Sequence, residues 1–325
     1  MRRVLGVTFT GLGAFLLVLA AMAHFFLPGQ VIKFPVNEYS VTRLTGTGVN
    51  YFSEATGLPV TGANVRAVAT TQGDVSSSTS STAVWNNITG IFDITNGGNP
   101  GTAISYSTER FAFNRRTGVL VNCCGAEVGT TRVHMSGQGY VWPIGTTKKT
   151  YQVFDTTMLK PEPAVFSGTS SVDGMSVYIF KETVNDQQFG TVTVPGSLVG
   201  IKNQANVAMP EYLTETNTYF VDPGTGSPVK IIENQDETLQ NPGAGATTLT
   251  LFDGTLTTSP ASIQSAVNTA RSSDDEISAV QTIGPLVGGL VAIVLLIIGV
   301  IMLTTESRSE YEEYEDDDEE VGAEA

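Results

Sequence analysis

The stretch Ile283 to Leu303, IGPLVGGLVAIVLLIIGVIML, constrains this chain more than any other. It carries no charged side chain and no hydroxyl, and as a helix it is long enough to cross a bilayer core of about 30 Å. Leu, Ile and Val recur around the whole helix circumference, which a helix packed on one face of a soluble domain does not need. The stretch therefore reads as a transmembrane helix over 283–303. Residues before it belong on one side of the membrane and residues after it on the other.

The amino terminus repeats the theme. Arg2 and Arg3 precede an uncharged run from Val4 to Leu27, again of spanning length. Ala21-Met22-Ala23 would serve as a signal-peptide cleavage motif, but the apolar pattern continues through Phe25, Phe26 and Leu27, which favours an uncleaved signal anchor over 4–27. The positive-inside bias keeps residues 1–3 in the cytoplasm. Two spans then return the carboxyl terminus to the same side, and residues 28–282 lie outside. Small residues recur at close spacing, Gly6, Gly11 and Gly13 in the first span and Gly284, Gly288 and Gly289 in the second, and Gly284-x-x-x-Gly288 would permit close helix approach.

Charge has to be located before it is interpreted. Of the formal net −15, the segment Glu306–Ala325 supplies eleven acids against Arg308, a net −10, leaving −5 for the other 305 residues. The tail, 304–325, is a charge block that cannot collapse and is expected to be disordered. No basic patch suited to nucleic acid is present. The two cysteines, Cys123 and Cys124, are adjacent rather than spaced as metal ligands are; outside the cytoplasm they could close into a vicinal disulfide, or serve only as small strand-end residues.

Between the spans the composition favours strands. Val192 and Val194 alternate with Thr191 and Thr193, and Leu249 and Leu251 with Thr248 and Thr250. Three segments share one plan, an aromatic strand end, a polar turn closed by Thr-Gly, and a strand resuming with Val: 51–60, 112–121 and 219–229. A glycine able to take positive φ suits a hairpin turn at each. The Ser/Thr run 76–82 reads as an exposed loop. Ser259 caps a helix with Pro260 at its first position, and Ile263, Ala266, Val267 and Ala270 share one face, so 259–282 reads as a stalk helix. The expected fold class is mainly β (α+β overall): an extracytoplasmic antiparallel sheet domain, 28–258, flanked by transmembrane helices.

Residues 140–155, Tyr-Val-Trp-Pro-Ile-Gly-Thr-Thr-Lys-Lys-Thr-Tyr-Gln-Val-Phe-Asp, resemble the signature segment of the actinobacterial PorA-like family, whose members are named porin PorA or counted as a domain of unknown function. Asp173-Gly174-Met175-Ser176-Val177-Tyr178, Val194-Pro195-Gly196-Ser197-Leu198 and Val221-Asp222-Pro223-Gly224-Thr225-Gly226 are similar to it as well. Ile144 stands where the family usually has a second aromatic residue. The resemblance implies a channel in the outer, mycolate-type layer of the envelope. Against a lipid-embedded barrel, which needs apolar outward strands and aromatic girdles, the strand segments are broken by polar turns and two apolar helices already anchor the chain.

Enzymatic chemistry finds no foothold in the motifs. No G-x-S-x-G, H-E-x-x-H, Walker loop or dinucleotide fingerprint occurs, and His134 is the one histidine between the spans. Asp155, Glu162, Asp173 and Glu182 could meet in space as paired carboxylates, though their spacing selects no pair. Trp85, Phe92, Trp142, Phe154 and Phe166 are read as core or, functionally, as the lining of a groove for an apolar ligand. The sequence thus points to a non-enzymatic, cofactor-free, membrane-anchored envelope protein. Its outer domain would bind an envelope lipid or a protein partner; an envelope channel is the alternative, and a structural scaffold the third.

Overall fold

The computed structural model describes residues 2–201, 203–240 and 248–321, with side chains described as far as Thr305. It resolves into a sheet unit, Lys33–Ser272, and a helical unit formed by Met1–Ile32 together with Ser273–Ala325.

The sheet unit is one antiparallel sheet of eleven strands. They are β1 (Tyr39–Ser53), β2 (Leu58–Gly73), β3 (Thr82–Asp93), β4 (Thr102–Asn114), β5 (Glu127–Val128), β6 (Tyr151–Asp155), β7 (Lys160–Val172), β8 (Met175–Pro195), β9 (Asn206–Val221), β10 (Pro228–Leu239) and β11 (Leu249–Thr258). The spatial order is β5-β4-β3-β2-β1-β11-β10-β9-β8-β7-β6. Two meanders thus join where the first long strand pairs with the last, Tyr51 opposite Phe252 and Leu44 opposite Thr258. The mainly β, antiparallel expectation holds. The three Thr-Gly segments are tight turns, with Gly57, Gly118 and Gly226 at φ +68°, +67° and +76°. Ser53 pairs with Leu58, Phe113 with Leu120, and Val221 with Pro228 across them.

The sheet curls until its edges are bridged. Asn114 N–H donates to the Val119 carbonyl, Leu120 N–H to Gly137 and Gln138 N–H to Gln152, so 119–121 and 137–138 carry the hydrogen-bonding from β4 across to β6. The segment 140–146 then crosses this end of the curl. Trp142 N–H donates to Gly226 O (2.7 Å), Ile144 N–H to Arg116 O (3.1 Å) and Thr146 N–H to Pro223 O (2.8 Å). Two stretches that carry the family resemblance, 140–155 and 221–226, are therefore a crossing strap and the turn that receives it. Asp222 holds that turn by accepting from Thr225 N–H (2.8 Å) and Oγ1 (2.6 Å).

Two aromatic clusters fill the strapped end. Trp85, Phe111, Phe113 and Phe154 pack with Phe34 and Met135, while Trp142, Tyr151 and Phe180 pack with Val153 and Val221. Trp142 is 1% exposed and stacks on Phe180 at 5.7 Å. Truncating such a side chain costs about 3–5 kcal/mol. The segment before β1 is pinned beside them, with Trp85 Nε1 donating to Pro35 O and Arg115 Nε to Phe34 O.

Helix α2, Pro260–Ser278, begins as its sequence predicts, Ser262 N–H reaching Ser259 Oγ at 3.4 Å. Its apolar face does not form a free stalk. Val267 and Ala270 are buried against Val172, Val177 and Val229, because the outer face of β7, β8 and β10 offers valines at matching height.

In the helical unit, α1 (Arg2–Val31) and α3 (Gly284–Val321) are each apolar and long enough to cross a membrane. They pair antiparallel, with Gly288 of α3 facing Ala20 of α1 but the tightest approach elsewhere and Gly284 taking no part. A Cβ on Gly13 would stand 2.8 Å from Leu296 and 2.9 Å from the Ala292 carbonyl, and Gly6 lies as close to Leu303. A π-helical turn, Ala279–Ile283, precedes α3; the carbonyl of Gln281 within it meets His24 Nδ1 at 3.0 Å. Helical backbone of α3 runs to Val321, consistent with the good helix propensity of glutamate; the tail expected to be disordered, 304–325, falls partly on this helix and partly, at 322–325, outside the described residues.

Candidate functional site

Alternate residues of a strand share a face. On one face of the curled sheet lie Tyr151, Val153 and Asp155 of β6, Glu162 and Ala164 of β7, and Phe180, Glu182 and Val184 of β8. Leu213, Glu215, Asn217 and Tyr219 of β9 and Glu233, Gln235 and Glu237 of β10 continue it. Register places Glu182 opposite Asn217 and Asn217 opposite Glu233; two residues along, Val184 faces Glu215 and Glu215 faces Gln235. Below the aromatic layer, therefore, this face carries a belt of carboxylates around Asn217. Neighbouring strands set them about 4.8 Å apart and successive rows about 6.7 Å.

The belt is enclosed and uncompensated. Glu182 is 2%, Asp155 8% and Asn217 9% exposed, and among the described residues no lysine or arginine is buried. Lys160, itself half-exposed, reaches Glu162 at 2.9 Å from the rim. Desolvation lifts the Glu182 carboxyl to about 7, against the partial relief of a 2.6 Å bond from Tyr219 Oη and of the Asn217 amide, and with Asp155 and Glu162 adding repulsion. Burial, then the Asp155 charge, pushes Glu215 up to about 8. Glu233 and Glu237 rise to about 7, again by desolvation first. Asp155 is raised by burial although Thr157 and Met158 N–H both donate to its Oδ1. Glu215, Glu233 and Glu237 nevertheless keep part of their surface open to water.

Three of the four carboxylates singled out in the sequence, Asp155, Glu162 and Glu182, meet here. The fourth, Asp173, sits in the β7–β8 turn, where its carbonyl accepts from Arg271 Nη2. Glu215 and Glu233 were missed. Their signal was present: β9 and β10 carry polar residues on both alternating faces, which a sheet packed on a purely apolar core does not. Among the described residues no group of three His, Cys, Asp or Glu is placed to hold a metal ion.

The five aromatic residues considered for an apolar groove are not brought together. Trp85 and Phe154 belong to one packed cluster; Trp142 belongs to the second, with Phe166 packed against it. Phe92 lies apart, edge-on to Tyr106 at 5.7 Å. Cys123 and Cys124 are disulfide-bonded and line an open cleft of about 300 Å3 with Asn122 and Arg132. Arg110 ties that loop down, donating from Nε to Cys124 O and from Nη2 to Asp74. His134 is exposed, with Asn122 Nδ2 at 3.4 Å.

Compared with known proteins, residues 5–301 match the family model described as Porin PorA. Over 49 residues the chain is 41% identical to a protein of Corynebacterium resistens named Porin PorA, a stretch that covers 15% of this chain and 12% of that protein.

Proposed function

Because this chain belongs to the Porin PorA family, we propose that it is a channel-like protein of the cell envelope whose sheet unit encloses an acid-lined passage for small polar and cationic solutes. The observation that carries this reading is the carboxylate belt, enclosed by the curl yet touched by water. A sheet built only to pack would not retain at least five desolvated acids without buried counter-charges.

The passage is not a lipid-embedded barrel. The opposite positions of the same strands carry Lys181, Thr183, Thr214, Thr216, Asn234 and Asp236, a face for water rather than for acyl chains. Membrane attachment falls to α1 and α3, with residues 33–272 outside and both termini in the cytoplasm. The packed aromatic clusters give less support to the apolar-ligand reading than the belt gives to the channel.

Full-length protein reconstituted into planar bilayers tests the proposal. Discrete conductance steps with cations favoured over anions are expected. Their absence at high protein load, with insertion verified by flotation, overturns it.

A further inference from the structure

Four buried acceptor oxygens in the belt lack a hydrogen-bond donor, Asp155 Oδ2, Glu162 Oε1, Glu182 Oε1 and Asn217 Oδ1; Glu162 Oε1 has the Lys160 ion pair, which leaves three, each on a residue more than nine-tenths buried. Glu182 and Asn217 are register partners on adjacent strands, while Asp155 lies two strands and two rows away on the same face, its charge still felt by Glu182 and Glu215. The other oxygens of the two acids are occupied, Glu182 Oε2 by Tyr219 and Asp155 Oδ1 by two backbone amides, so the free ones mark the side from which donors are missing.

From this geometry we infer that the belt is a binding site for an organic polyammonium cation, one ammonium seated on the register pair Glu182 and Asn217 and a second directed toward Asp155; the inference rests on the water-accessible hollow proposed above. A bare divalent metal is a poorer match, because it needs several oxygens converging at about 2.0–2.6 Å and the described acids do not converge so. An alkylammonium can donate N–H bonds to the Glu182 and Asn217 oxygens of adjacent strands, keep a third donor for water, and lose its hydration more readily than a small divalent ion. A linear polyamine adds further ammonium groups a few methylenes away, and Glu215 and Glu233, one strand or one row from Asn217, stand where those would reach. Trp142, Tyr151 and Phe180 close the belt on its strapped side, so the alkyl part would meet aromatic surface there.

The test uses the full chain in nanodiscs, spermidine as the probe, and calorimetric titration at low salt and pH 8.5. Saturable binding is expected. Glu182→Gln removes one charge isosterically and should weaken binding by about tenfold or more, the worth of a charge-assisted hydrogen bond. Glu215→Gln is the second variant, and Glu54→Gln, in the exposed β1–β2 turn, should leave binding unchanged. Thermal melts establish that each variant is folded. No binding by the wild type, equal binding by both belt variants, or displacement of spermidine by equimolar magnesium overturns the inference. A chain that conducts but takes no spermidine removes this site alone; one that binds spermidine without conducting removes the channel.

Discussion

A glutamate in a strand is unremarkable until its surroundings are known, and Glu182 shows what they change. Its carboxyl sits at about 7 because the fold desolvates it. The folded-state pKa thus lies above the ordinary 4.5, and so do those of Glu215, Glu233 and Glu237. The unfolded chain therefore releases these protons at lower pH than the folded one. Stability is fully present below about pH 4.5, falls as pH rises to about 8, and levels off beyond. Melts of the full chain at pH 5 and pH 8.5 should show the acid sample melting higher, the facing groups being Asp155, Glu162 with Lys160, Tyr219 and the glutamates named. Glu182→Gln should narrow that gap, raising stability at pH 8.5 by about 2 kcal/mol and changing it little at pH 5. Gly226→Ala tests a different residue-scale constraint. A Cβ there would collide with the Trp142 and Pro143 carbonyls, and the φ of +76° disfavours any side chain. A loss of about 2–3 kcal/mol at every pH is expected in the same melts.

Elements were legible in the sequence to the extent that their signals are local. The Thr-Gly turns, the Ser259 cap and the two apolar helices depend on residues within one turn or one helix of each other, and each appears where its pattern puts it. Partnerships were not legible. Small residues recur in both spans, but of those named only Gly6 and Gly13 make the tightest contact, with Gly299, while Gly288 merely faces Ala20 and Gly11 and Gly284 do not face the partner helix, because only the crossing of two helices decides which small residues face inward. Gly13→Ile should push α1 away from Ala292 and Leu296. Fluorescence transfer between labels near positions 10 and 299 should fall, while Gly11→Ile, which has open space, should leave it unchanged. The same limit hid the destination of α2. Its apolar stripe announced a buried face, but the valines that bury it come from strands about 40 to 95 residues earlier in the chain.

At the scale of the whole molecule, the proposed topology makes one direct demand. Protease added to intact cells should cut within 33–272 and spare an epitope tag at the carboxyl terminus; the reverse pattern would invert the orientation. The two apolar helices and the strand class were legible from composition and period, since hydrophobic length and alternation are properties of the chain whatever it folds into. The carboxylate belt was decided only by tertiary structure. Asp155 and Glu233 are 78 residues apart in the chain, and nothing local distinguishes them from solvent-facing acids; the antiparallel register and the curl of the sheet turn them to one face and withdraw water from them. Desolvation is a property of enclosure, and enclosure exists only once distant strands have closed around it.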